Sequence, residues 1–147
     1  MFIWKKSADI IGDHPVFGVG QGNYYDAYTE RMPADSHERK LKGHAHNDLI
    51  NVAVVGGLPA MLLFVAMWAA LLISFWRGWR TAPAGRFGNR LQAAALLGSV
   101  AFVITSLTEA TFADEEVREM LMFIWAVGLS ASYKDEMGLE SNPAELS

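Results

Sequence analysis

From Leu49 to Trp76 the chain carries no charged residue over about 28 positions. As a helix this run would rise ~42 Å, more than the ~30 Å hydrocarbon core of a bilayer. A buried helix of a soluble protein averages about three turns and keeps a polar stripe. The run therefore reads as a membrane span. Gly56, Gly57 and Pro59 interrupt its first third. Such breakers are tolerated in membrane helices where neighbouring helices re-satisfy the freed backbone groups. The expectation is a span over 49–76 with irregular first turns.

A second apolar stretch covers 91–112 and is broken only by Glu109 near its end. A third covers 117–133; its apolar heart, "MLMFIWAVGLSASY", is short for a full crossing and is also compatible with half-insertion. Between the first two lies "RGWRTAPAGRFGNR", with four arginines and no acid, whereas "ADEEVRE" separates the second from the third. The positive-inside rule puts the arginine loop in the cytoplasm. Residues 1–48, with Ser7 and Tyr28, then lie outside, and Arg86 lies inside with a polar, disordered tail over 134–147. Trp76 and Trp79 sit where an interfacial aromatic belt belongs. The expected architecture is all-α: a polytopic membrane protein fragment with about three transmembrane helices preceded by an external loop segment.

The net charge of −4 is mild and points to no nucleic acid or polyanion as a bulk partner. There is no cysteine, so neither a disulfide framework nor thiolate chemistry is available. The opening "MFIWKKSADIIGDHP" does not read as a signal peptide and reads instead like the middle of a protein.

Within the external segment, "FIWKKSADIIGD" places Ile3, Trp4, Ala8 and Ile11 at helical spacing, a short amphipathic helix that Pro15 and the following glycines end. Gly18, Gly20 and Gly22 invite comparison with a phosphate-cradling loop, but no strand precedes them, and a structural Gly-rich turn is the plainer reading. Arg31, Arg39, Lys40 and Lys42 form a basic cluster just before His44 and His46. It reads equally as a solvated or headgroup-facing surface and as part of a site.

His44 and His46 admit three readings. With Asp48, and with Asp35 and His37 as further donors, they offer imidazole and carboxylate metal ligands, although no strand pattern aligns them. Asn47 or Asp48 suits the N-cap of the following helix. A histidine at the lipid–water boundary also suits a general base, with cations nearby to hold an anionic group. Glu109, a carboxylate near the external end of a span, is costly unless it faces protein or water. It is expected to face the bundle, where it helps shape the site or pairs with an upstream basic residue.

"SADIIGDHPVFGVGQGNY", a variable polar loop, and "HAHNDLINVAVVGGLPAMLLF" together resemble the C-terminal part of the O-antigen ligase and polymerase superfamily. Its members carry a large periplasmic loop ending in a His-Asn pair, with a glycine about ten positions on and a membrane helix after it. His46, Asn47 and Gly57 match that pattern, and "ITSLTEATFADEEVREMLMFIWAVGL" looks like the family's closing pair of helices. Val55 stands where an acid is frequent and Ala60 where a second glycine is common. Family members have around ten or more membrane helices, so the chain reads as a fragment, a split gene product or a reading frame with a displaced start.

The resemblance implies a multi-pass protein of the bacterial inner membrane with its N-terminal segment periplasmic. It implies envelope polysaccharide biosynthesis: a glycosyltransferase that moves glycan from a polyprenyl-diphosphate donor to lipid A core, as in lipopolysaccharide assembly, or to another glycan acceptor, without cofactor or required metal. His46 would be the base. His44 and Asn47 are substrate-binding candidates beside it, and Arg39, Lys40 and Lys42 are candidates for the diphosphate by proximity. A base acting on a sugar hydroxyl must stand at the depth of a lipid-linked pyrophosphate, the mouth of a membrane helix. An imidazole, with its ordinary pKa of ~6.5, suits that task. The alternatives are a non-catalytic membrane remnant or accessory subunit, and a metal-dependent membrane hydrolase.

Overall fold

The computed structural model describes residues 2–33, 44–82 and 87–136. These form α1 (Phe2–Asp13), α2 (Tyr24–Thr29), α3 (Asp48–Thr81), α4 (Phe87–Ser106) and α5 (Glu115–Glu136), with one 3₁₀ turn at Thr111–Ala113 before α5. There is no strand among the described residues. The all-α expectation holds. The chain falls into two compact units, Met1–Trp68 with Val103–Glu115, and Ala69–Phe102 with Glu116–Ser147.

In the first unit α1 buries Ile3, Ser7 and Ile10, a stripe at i, i+4 and i+7. This is a different face from the one the apolar spacing suggests: Trp4 is 40% exposed and Ala8 is exposed. Ser7 is tolerated inside because its hydroxyl donates to the Ile3 carbonyl and meets the Tyr24 hydroxyl at 2.9 Å. Burial pushes the Tyr24 phenol above its ordinary value. Tyr24, Ala27, Tyr28 and Met32 close the same core with Ala45 and Val54.

The interruption in α3 is a true break. Gly57 takes φ 79° and ψ 178°, a positive-φ conformation that favours glycine, between two helical stretches. Pro59 falls in the first turn beyond it, where a missing N–H is least costly. The freed groups are met by the loop that follows α1, not by a neighbouring helix. Val19 and Gly20 donate to the carbonyls of Val54 and Val55 at 2.8 and 2.9 Å, and Leu58 donates to the Pro15 carbonyl at 2.8 Å. The approach is so close that a Cβ on Gly18 would collide with the backbone of Val54 and Val55, and one on Gly57 with the Val16 carbonyl. The glycine-rich loop is thus a splint for a broken helix. Its Gly18, Val19 and Gly20 N–H groups are spent on protein carbonyls and do not cradle a phosphate.

In the second unit small and polar residues bring the helices together. Gln92, buried in α4, donates to the Gly128 carbonyl at 2.6 Å, and Trp125 Nε1 donates to the Ser99 hydroxyl at 3.1 Å. A Cβ on Gly128 would lie 2.6 Å from that of Ala95 and 2.7 Å from Phe75.

Among the described residues two helices, Asp48–Thr81 and Phe87–Ser106, are long and apolar enough to cross a membrane, against the expected three or so. The third stretch is helical, but Glu115, Glu116, Arg118 and Glu119 occupy its first turns and Lys134, Asp135 and Glu136 its last. The 14 uncharged residues between, Met120–Tyr133, rise only ~21 Å. The second span is also shifted. It ends at Ser106 rather than reaching 112. There Ser106 and Thr108 hydroxyls turn back onto the Val103 and Thr105 carbonyls, competing with the helix ladder. The tail from residue 137 and the loop position Arg86 lie outside the described residues.

Gly57→Ala is expected to lower unfolding stability by at least ~1–3 kcal/mol, since it adds left-handed strain to a backbone collision. Gly12→Ala, in helix with nothing within 4 Å of its added Cβ, should be neutral or stabilising by up to ~1 kcal/mol. Thermal melts of the detergent-solubilised variants check both; equal melting of Gly57→Ala and the parent would dismiss the strained break.

Candidate functional site

The site is built around the start of α3. Trp4 Nε1 donates to the Ala45 carbonyl at 3.0 Å, and Ala45 is fully buried, which pins the chain between the two histidines. His46 follows with φ 51°, left-handed and unusual for a residue other than glycine. That turn swings its ring out of the path of the helix. The next residue caps it: Asn47 Oδ1 accepts from the Ile50 N–H at 3.0 Å, so the cap is Asn47 and not Asp48.

Asn47 and Asp48 also hold the segment after α4. Asn47 Nδ2 donates to the Leu107 carbonyl at 2.9 Å. The buried Asp48 carboxylate accepts the Phe112 N–H at 3.1 Å and the Thr111 hydroxyl at 3.4 Å. Glu109 lies between these two attachments, and its carboxylate meets His46 Nδ1 at 2.9 Å through both oxygens. The His46 contact holds the Glu109 carboxyl below its ordinary value of 4.5, with a further electrostatic contribution from His44. An ionised carboxylate only accepts, so Nδ1 carries the proton and donates it. The neutral ring then has its lone pair on Nε2, which has no hydrogen bond to any described residue. Side-chain exposures of 35% for His46 and 53% for Glu109 leave the pair open to its surroundings. His44 stands beside it, ring centroids 4.3 Å apart, and its Nδ1 accepts the His46 N–H at 3.3 Å.

The sequence-derived candidates therefore separate. His44 and His46 come together. Asn47 is buried and its amide is engaged at both ends, which makes it a positioning group. Glu109 pairs with an upstream basic residue, His46, but its carboxylate is 53% exposed rather than turned into the bundle. Asp48 is withdrawn from the histidines and spent on the 111–112 turn. Arg31, counted in the basic cluster, is engaged by Asp13 and the Ala27 carbonyl. Arg39, Lys40, Lys42, Asp35 and His37 lie outside the described residues.

Asn47→Ala removes the cap and the tie to Leu107 together, and should cost about 1–3 kcal/mol. Asn47→Asp keeps an acceptor for the Ile50 N–H but loses the donor to Leu107, and should fall between. Unfolding midpoints of the three proteins check this order.

No curated protein matches the chain. The O-Antigen ligase family model matches residues 1–65, the stretch that contains α1, the splinting loop, both histidines, the Asn47 cap and the break in α3. With two apolar helices of spanning length, the match indicates a membrane protein, and it supports placing the chain in the O-antigen ligase superfamily.

Proposed function

We propose that this chain carries the base of an O-antigen ligase-like or polymerase-like glycosyl transfer in envelope polysaccharide biosynthesis. The donor is a glycan on polyprenyl diphosphate and the acceptor is lipid A core or another glycan hydroxyl. The observation that carries the reading is the His46–Glu109 pair at the mouth of the longest apolar helix, 2.9 Å through both carboxylate oxygens. Glu109 fixes the ring tautomer and balances the imidazolium that forms when Nε2 takes the acceptor's proton. The oxygen so released attacks the anomeric carbon of the donor sugar as the bond to the diphosphate breaks, and the diphosphate leaves as an anion. Arg39, Lys40 and Lys42 are the proposed contacts for that anion, since cationic donors match its oxygens. His44 is the neighbouring contact to the substrate. No cofactor enters the scheme.

His46→Ala should lower transfer by about 10²–10⁴-fold while the protein still inserts into membranes. Glu109→Gln should lower it less, because a carboxamide retains a hydrogen bond without the charge. Transfer is measured in the intact membrane-embedded enzyme with lipid-linked donor and acceptor. A His46→Ala enzyme within about tenfold of the parent would be too active for the base role.

The same reading sets residues 1–48 in the periplasm and the 77–90 loop in the cytoplasm of a bacterial inner membrane, following the arginines of that loop. Ser7 and Tyr28 are buried and make poor reporters. Phe17, 86% exposed, and Thr81, also exposed, are the better ones. A membrane-impermeant thiol reagent on intact spheroplasts should label Phe17→Cys and spare Thr81→Cys; the reverse pattern inverts the topology.

A further inference from the structure

We propose that His44, His46 and Glu109 form a binding site for a zinc-class divalent ion, and that an ion held there removes His46 from service as a base. The second half rests on the functional reading above; the first does not. Each of the three offers one ligand atom, two imidazole nitrogens and a carboxylate oxygen, and no two of these atoms are more than 4.8 Å apart. Zinc bonds of ~2.0–2.2 Å put neighbouring tetrahedral ligands ~3.4 Å apart. The 2.9 Å pair of His46 and Glu109 has only to open slightly, and His44 to close in. Two histidines and a glutamate leave a fourth position for water, a set zinc accepts readily.

The three donors are held from outside the cluster. Trp4 fixes Ala45 between the histidines. Asn47 ties His46 to the helix start and to Leu107, and Asp48 anchors the turn at Phe112. Glu109 is thereby presented from both sides of its own loop. Asp48 contributes no ligand, because it is buried and its oxygens serve Phe112 and Thr111. The half-exposed rings and exposed carboxylate give an ion free entry. The long 3.3 Å contact at His44 Nδ1 is weak and readily exchanged for a metal bond. To take an ion at the atom that faces Glu109, Nδ1 must give up its proton; the neutral ring then carries its hydrogen on Nε2, where no lone pair remains for the acceptor's proton.

The test uses the intact protein in detergent, stripped with a chelator and titrated with Co²⁺, whose visible absorption reports coordination, then back-titrated with Zn²⁺. One equivalent of Co²⁺ should give the intense absorption of a four-coordinate site, and Zn²⁺ should displace it. His44→Ala and Glu109→Gln should each weaken binding by about tenfold or more, while His14→Ala, a histidine outside the cluster, should not. Absence of saturable absorption, or unchanged affinity in both cluster variants, overturns the site. Transfer assayed in the same preparation is the second arm: site-saturating Zn²⁺ should suppress it and chelation restore it. Saturated sites with undiminished transfer overturn the inhibition. Loss of transfer in His46→Ala without any ion binding would sink the ion site and leave the base assignment standing.

Discussion

A membrane helix that stops being helical exposes backbone groups where water is scarce, and these must find partners or the segment will not insert. In this chain the problem sits at Gly57, and its answer determines most of the first unit. Carbonyls of Val54 and Val55 and the N–H of Leu58 lose their helical partners at the break, and the loop from Pro15 to Gly20 supplies replacements. That loop can lie so close only because Gly18 and Gly57 lack side chains. It in turn fixes where α1 ends and how the core of Ile10, Tyr28 and Val54 closes. The first stretch of α3, and with it the two histidines, is placed by this contact.

Features carried by local pattern were legible in the sequence. The long uncharged run, a cap at Asn47 or Asp48 and the structural character of the glycine-rich loop each follow from residue type and spacing within a few positions; the choice of Asn47 rests on its bond to the Ile50 N–H. The buried face of α1 was less legible, because Ser7 looks polar until Tyr24 supplies its partner. The end of α4 was hidden for a similar reason: apolar character continues past Ser106, but hydroxyls and two side chains from the start of α3 take over the backbone. Glu109 stood out as a costly carboxylate, yet nothing in its surroundings named His46. The third span was overcounted by weighing an apolar heart without the charges that bound it at both ends.

The site shows a division of labour among consecutive residues. His46 faces outward and meets Glu109. Asn47 and Asp48 face inward and offer attachment, each to a different point on the segment that bears Glu109. A backbone in the left-handed region at His46 makes this alternation possible at a helix start, where regular geometry would have carried the ring elsewhere. Strain of this kind persists where surrounding contacts over-determine it, and the Trp4–Ala45 bond on one side and the Asn47 cap on the other do so here.

The separation of 63 positions between His46 and Glu109 also imposes an order of events on biosynthesis. The splinting loop is translated before the break it repairs, so α3 can enter the membrane with its partners already made. The carboxylate arrives only after the second apolar helix has been synthesised. Until the ribosome has passed Phe112, Asp48 lacks its backbone donor and His46 lacks its orienting anion. His46 is thus made early and gains its carboxylate partner late, and a nascent chain arrested in α4 would display that imidazole without the Glu109 hydrogen bond.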